Sequence, residues 1–146
     1  MFFAVNLTHQ QSKTIEVTLE EYVSNPEPDV VNFDPPLDMR KLAGELNLLP
    51  LLLDMGGCIG IQPNGEFFSF AWDKPYELIP ESDSRVCNIA LFVGAKRFPL
   101  MSEFIPDRPR TARDCDFCHG SGSVVDLQSD LAKEIRCYCG GLGWVP

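Results

Sequence analysis

At 146 residues the chain suits one compact domain, or one domain with a small appended module, and is too short for two full-sized domains. A chain of this length buries roughly 68–70% of its unfolded surface, and 45% apolar with 23% charged residues is a globular balance that excludes wholesale disorder. The formal charge of −9 argues against non-specific nucleic-acid binding, which is built from Lys and Arg, and against docking on anionic lipid.

Met1-Phe2-Phe3-Ala4-Val5 is apolar but stops after five residues with no basic flank, short of the roughly 7–15 apolar residues of a secretory signal. The run Leu48–Leu53, broken by Pro50, is far below the roughly 20 residues that span a bilayer. These features predict a cytosolic protein with no membrane partner. In a reducing compartment, clustered cysteines are metal ligands or redox groups before they are structural disulfides.

Phe2–Leu7 and Thr14–Thr18 are short β-prone runs, and Val17–Glu21 reads equally as the start of a short helix. Ser24–Pro36, with Pro26, Pro28, Pro35 and Pro36, reads as a loop. Asp38 is placed to cap a helix from Met39 to Leu48, with Leu42, Leu46 and Leu49 at helical spacing and Pro50 as its stop. Cys58–Gln62 and Glu66–Trp72 flank Asn64-Gly65, which predicts a β-hairpin with a type I′ turn. In its second strand Phe68, Phe70 and Trp72 share the face expected to be core, opposite Phe67, Ser69 and Ala71. Asp73–Ser84 reads as a loop. Asp83 or Ser84 can cap a helix from Arg85 to Lys96 with a stripe of Val86, Ile89, Ala90 and Val93, although Ile89–Val93 alone also fits a buried strand. Pro99–Phe104 is expected to be a short helix closing the body. The predicted fold class is α+β: a small mixed body with a β-hairpin over residues 1–105, a linker over 106–113, and a four-cysteine, zinc-ribbon-like module over 114–146.

That last third differs chemically from the rest. Residues 1–95 carry 5 basic and 14 acidic groups, whereas residues 96–146 carry 7 of each. Four of the six cysteines also lie near the end. Cys115-Asp116-Phe117-Cys118-His119-Gly120-Ser121-Gly122 reads C-x-x-C-x-G-x-G, and Cys137-Tyr138-Cys139-Gly140-Gly141-Leu142-Gly143 repeats the phrase one spacer shorter. The 18 residues between the pairs match a four-cysteine zinc ribbon. Two thiolates on one turn approach a tetrahedral ion together, a second turn completes the four-sulfur coordination, and the glycines permit turns that aim N–H groups at sulfur. Such a set favours one Zn2+ per chain, held by Cys115, Cys118, Cys137 and Cys139, in a closed structural site. A redox role for the same thiols, or unpaired surface cysteines, are the alternatives on spacing alone.

The doubled phrase resembles the cysteine-rich repeat of DnaJ-type (Hsp40) chaperones and of small proteins that carry this module alone. The resemblance covers residues 112–146, about a quarter of the chain. It implies one zinc on Cys115, Cys118, Cys137 and Cys139. The family usually has four repeats and two zincs, and no His-Pro-Asp tripeptide occurs here, so stimulation of an Hsp70 ATPase is not implied. Redox-switched holdase chaperones place C-x-C before C-x-x-C, the reverse of this order. The body, Leu51–Pro106, resembles SUKH-superfamily immunity and interaction proteins in its α+β pattern, without a shared motif.

Other candidates carry less chemistry. His119 follows Cys118, where its ring either meets a thiolate or is exposed on the knuckle, and His9 stands apart. Cys58 and Cys87 sit in apolar runs as small hydrophobes. Glu20, Glu21, Glu77, Glu81 and Asp83 read as solvated acids, and no P-loop, nucleophile elbow or dinucleotide fingerprint is present. Lys96, Arg97, Arg108, Arg110 and Arg113 give residues 96–113 a charge of +3, expected to pair with nearby acids. The functional expectation is a non-enzymatic, cytoplasmic zinc protein with no catalytic residues that works on protein partners as an adaptor, immunity-type or chaperone-like protein. A thiol redox or zinc-release switch and a nucleic-acid-binding zinc ribbon are the alternatives.

Overall fold

The computed structural model describes residues 7–32, 35–54, 56–105, 107–121, 123–125, 134–136, 139 and 142–145. The β-prone run Phe2–Leu7 lies outside them except for Leu7. Among the described residues the body is α+β, with three helices, a meander sheet and a closing 3₁₀ turn.

Helix α1 (His9–Ser24) replaces the expected β-prone run at Thr14–Thr18. Its start is a capping box: the Gln11 N–H donates to Thr8 Oγ1 at 3.1 Å and the Thr8 N–H donates to Gln11 Oε1 at 2.8 Å. Ile15, Thr18, Leu19 and Tyr22 fall on one stripe and are buried. The cap and this stripe outweigh the β preference of Thr14, Ile15, Val17 and Thr18.

A two-stranded ribbon, β1 (Val30–Val31) with β2 (Leu37–Asp38), interrupts the proline-rich loop. Asp38 caps α2 (Met39–Leu46) as expected, its carboxylate accepting from the Arg40 N–H at 3.1 Å. The helix ends before Leu48. Asn47 turns left-handed with φ 51° and its N–H donates to the Ala43 carbonyl. Pro50 is therefore not the stop; it lies inside β3 (Leu49–Asp54), next to a register shift between Pro50 and Leu52. A proline is tolerated there because β3 is an edge strand.

β3 pairs antiparallel with β4 (Gly57–Ile61), β4 with β5 (Phe67–Ala71), and β5 with the two-residue β6 (Ile79–Pro80), which lies in the segment read as loop. The β4–β5 hairpin forms as expected, but its turn is not type I′. The Gly65 N–H donates to the Gln62 carbonyl at 2.9 Å, and the Gln62 N–H to the Glu66 carbonyl at 2.9 Å. Gly65 has φ 92° while Asn64 stays negative. This is a type I turn with Pro63 at its second position and Gly65 as the left-handed residue after it, the geometry that proline's fixed φ favours. Phe70 and Trp72 are buried as expected, Phe68 is half-buried, and Phe67 from the opposite set is buried as well.

Helix α3 (Ser84–Arg97) resolves the Ile89–Val93 ambiguity as helix. Asp83 caps it, accepting from the Val86 N–H at 3.4 Å. Cys87, Ala90, Leu91 and Ala95 join the core, whereas Val86 and Ile89 of the expected stripe are half-buried. α3 packs on β3 so closely that a Cβ on Gly94 would lie 2.2 Å from Leu51 Cδ2. The 3₁₀ turn Pro99–Phe104 then buries Met101 and Phe104 completely.

Two core clusters of buried residues stand out. One is the body core, from Ile15 to Phe104. The other consists of Cys115, Cys118 and Cys139 with Val145 against them. No helix among the described residues is long and apolar enough to cross a membrane.

Candidate metal centre

The segment that carries the cysteines is built on a short antiparallel pair, β7 (Arg113–Asp114) with β10 (Trp144–Val145), in which Trp144 faces Asp114. A second pair, β8 (Ser123–Val125) with β9 (Glu134–Arg136), joins the two halves of the motif. The ladder continues one residue past β7, where the Cys115 N–H donates to the Gly143 carbonyl at 2.9 Å. The first cysteine is thereby fixed against the turn of the second pair.

Past Cys118 the chain reverses. His119 has φ 54° and Gly120 φ 86°, and the Cys118 carbonyl accepts from the Ser121 N–H at 3.1 Å and from Ser121 Oγ at 2.8 Å. In the second half Gly143 takes φ 84° and its N–H donates to Cys139 Sγ at 3.2 Å. The two turns touch: a Cβ on Gly143 would stand 2.5 Å from the Gly120 carbonyl oxygen. Glycine is required at 143 both by its φ and by this contact.

The outcome is convergence of sulfur. Cys115, Cys118 and Cys139 are all buried, with their sulfurs within 4.8 Å of one another. Cys118 Sγ and Cys139 Sγ stand 3.8 Å apart. That is no disulfide, whose S–S bond is about 2.05 Å. It equals the edge of a tetrahedron of sulfurs around a metal with bonds of about 2.3 Å, which is about 3.8 Å. Three soft, buried donors with a backbone N–H aimed at one of them can hold a metal ion. Cys137, the fourth ligand expected from the sequence, lies outside the described residues.

His119 is exposed and does not join the group of converging ligands. His9 is exposed at the start of α1. The acids Glu20, Glu21, Glu77 and Asp83 are exposed and Glu81 is half-buried. Several cations of residues 96–113 meet acids, as expected: Arg108 pairs with Asp114 at 2.9 Å, Arg113 with Asp116 at 3.3 Å, and Arg97 with Asp29 of the body at 3.1 Å.

Cys58 and Cys87 belong to the body core. Burial pushes the Cys58 thiol up from its ordinary 9.0 to about 12, partly offset by Arg97. Burial, aided by Glu81 and Asp83, raises Cys87 to about 11. Such thiols are neutral and inert at physiological pH. A thiol whose folded pKa is raised stabilises the fold fully below the unfolded pKa, and that stability is lost as pH rises toward the folded value. Body stability, read by urea unfolding, is therefore expected to fall between pH 9 and pH 11, by up to about 1.4 kcal/mol per pH unit for Cys58. Cys58→Ala should flatten this dependence; an unchanged slope would exclude the thiol as its source.

One polar cluster is not announced by the sequence: Tyr22, Asp29, Arg40 and Arg97 meet in the body from positions up to 75 apart in sequence. No short-range pattern announces such a group. Compared with models of protein families, with curated proteins and with solved structures, the chain matches none.

Proposed function

We propose that Cys115, Cys118, Cys137 and Cys139 hold one Zn2+ in a closed structural site, and that the protein is a non-enzymatic one that acts through contact with protein partners. The observation that carries the metal reading is the spacing of the three buried sulfurs, with Cys118 and Cys139 at the tetrahedral edge length. Cys137, two residues before Cys139 in the C-x-C phrase, supplies the remaining corner. Four protein ligands leave no coordination position for water or substrate, which is the chemistry of a scaffold rather than of a catalyst. The likeness of the doubled motif to the DnaJ-type cysteine-rich repeat favours polypeptide as the partner. Phe117 supports this: between two of the ligands it is 57% exposed, an aromatic contact point at the knuckle.

The test is affinity purification from native lysate with the wild-type chain, Cys115→Ser and Phe117→Ala side by side. A partner lost with both variants, while Phe117→Ala keeps its zinc, is the expected result. A partner retained by Cys115→Ser would place recognition outside the module.

A thiol redox switch is the second reading, favoured by the 3.8 Å approach of Cys118 and Cys139. It requires insulin-reductase activity from the zinc-free chain, which a structural site does not give.

A further inference from the structure

We infer that the body carries a separate binding site for a carboxylate-bearing ligand with an apolar body, in the cavity where Arg40 and Arg97 flank Tyr22. The cavity has a volume of about 470 Å³, within the roughly 300–1,000 Å³ of small-molecule sites. Its polar wall is assembled from four elements. α1 brings Tyr22, the segment before β1 brings Asp29, the first turn of α2 brings Arg40, and the end of α3 brings Arg97.

Three of these groups satisfy one another. Tyr22 Oη donates to Asp29 Oδ2 at 2.5 Å, and Arg97 Nη2 donates to the same oxygen at 3.1 Å. Arg97 Nη1 donates to the Pro50 carbonyl at 3.1 Å. Asp29 is itself fixed by Asp38, whose Oδ1 accepts from its N–H at 3.2 Å. The result is a rigid frame with the charge of Arg97 answered by Asp29.

Arg40 is the unanswered member. Its Nη1 donates to the Tyr22 carbonyl at 2.8 Å, and its guanidinium carbon lies 4.6 Å from the centre of the Tyr22 ring. It forms no ion pair among the described residues, since Asp38, two positions before it, is occupied as the helix cap. Its Nε is buried without a hydrogen-bond partner. Stacking on Tyr22 favours the cation, but it leaves that donor unsatisfied, and a buried donor without a partner marks a place for a missing acceptor. The unpartnered edge of a guanidinium is a planar fork that fits a carboxylate bidentately. Nε is closed to water, so a ligand reaches it only as the Arg40 side chain shifts at the cavity wall that it lines.

Charge and shape narrow the class. Among the lining residues Arg40 and Arg97 are matched in number by Asp29 and Glu21, so only the local charge of Arg40 is offered to a ligand. A monoanion is therefore favoured over a dianionic phosphate. Phe98 and Leu100, the latter 47% exposed, line the rest of the cavity and suit an apolar or aromatic body. That chemistry is shared by a free aromatic carboxylate and by the C-terminal carboxylate of a polypeptide ending in an apolar residue.

The test is titration of the full-length, zinc-loaded chain, followed by NMR shift changes, with four probes: phenylacetate, an acetylated tripeptide ending in phenylalanine, the same tripeptide as its C-terminal amide, and inorganic phosphate. Saturable shifts around Tyr22 and Arg97 are expected with the two carboxylates, and at least tenfold weaker binding with the amide and phosphate. The tighter of the two carboxylates identifies the source. Arg40→Gln is expected to weaken binding tenfold or more. Leu100→Glu, on an exposed residue that leaves the core intact, is expected to weaken it through charge at the mouth. Absence of saturable shifts at millimolar carboxylate, equal binding of acid and amide, or unchanged binding by Leu100→Glu would overturn the assignment. None of these outcomes bears on the cysteine site.

Discussion

Replacing Cys115, Cys118, Cys137 or Cys139 with serine, one at a time, is expected to remove the metal and unfold the C-terminal segment while the body keeps its unfolding transition. The asymmetry follows from where apolar surface is buried. The body core contains large side chains such as Phe92, Phe104, Ile15 and Met101, all fully buried, and needs no staple. Among the described residues the cysteine cluster has Cys115, Cys118 and Cys139 with Val145 beside them, so the ligands themselves make up the buried centre of this segment. On the proposed reading a bound zinc orders this segment, and structural sites of this kind contribute about 10–16 kcal/mol of apparent binding free energy at neutral pH. Serine lacks the thiolate and breaks the set. Elemental analysis and NMR spectra of each variant check this, with Cys58→Ala as a control that keeps full zinc. Retention of full zinc by any of the four serine variants would remove that residue from the ligand set.

Gly94→Val is expected to destabilise the body strongly. A helical glycine gains about 1 kcal/mol of propensity when replaced by alanine, and less when replaced by valine. Here the first added carbon would lie 2.2 Å from Leu51 Cδ2, 2.9 Å from its Cβ and 3.0 Å from its Cγ. The Cδ2 can swing away, whereas Cβ is anchored to β3, so the helix and the sheet have to separate. Overpacking of this kind costs about 1–3 kcal/mol or more, which lowers Tm by roughly 2–4 °C per kcal/mol in a chain of this size. The double variant Gly94→Val with Leu51→Ala should be less destabilised than the sum of its parts by about 1 kcal/mol or more. Strict additivity would mean that the α3–β3 contact is not what excludes a side chain.

Much of the fold is legible in the sequence because its signals are local. Asp38 as a cap, the hairpin around Asn64-Gly65 and the start of α3 at Asp83 all depend on neighbours within a few residues. Helix α1 starts on an equally local signal, the Thr8–Gln11 capping box, but Thr14, Ile15, Val17 and Thr18 invite a strand and hide it. The turn type departs from expectation through Pro63, whose fixed φ makes it the second residue of a type I turn and passes the left-handed position to Gly65 alone. Pro50 illustrates the limit of punctuation rules: its missing N–H is harmless on an edge strand, so it sits in β3 rather than ending α2. At the cysteine site the spacing itself encodes two facing turns, and Cys115, Cys118 and Cys139 converge on one point. The Tyr22–Asp29–Arg40–Arg97 cluster has no such code. Its members meet only because α1, the segment before β1, α2 and α3 bring them to one cavity.

The claim that one metal ion is held by four cysteines is tested most directly by X-ray absorption at the zinc edge on the full-length chain, together with zinc content per chain. One zinc per chain with four sulfurs at about 2.3 Å is the predicted result. A shell of three sulfurs and one nitrogen or oxygen, unaltered by Cys137→Ser, would contradict it.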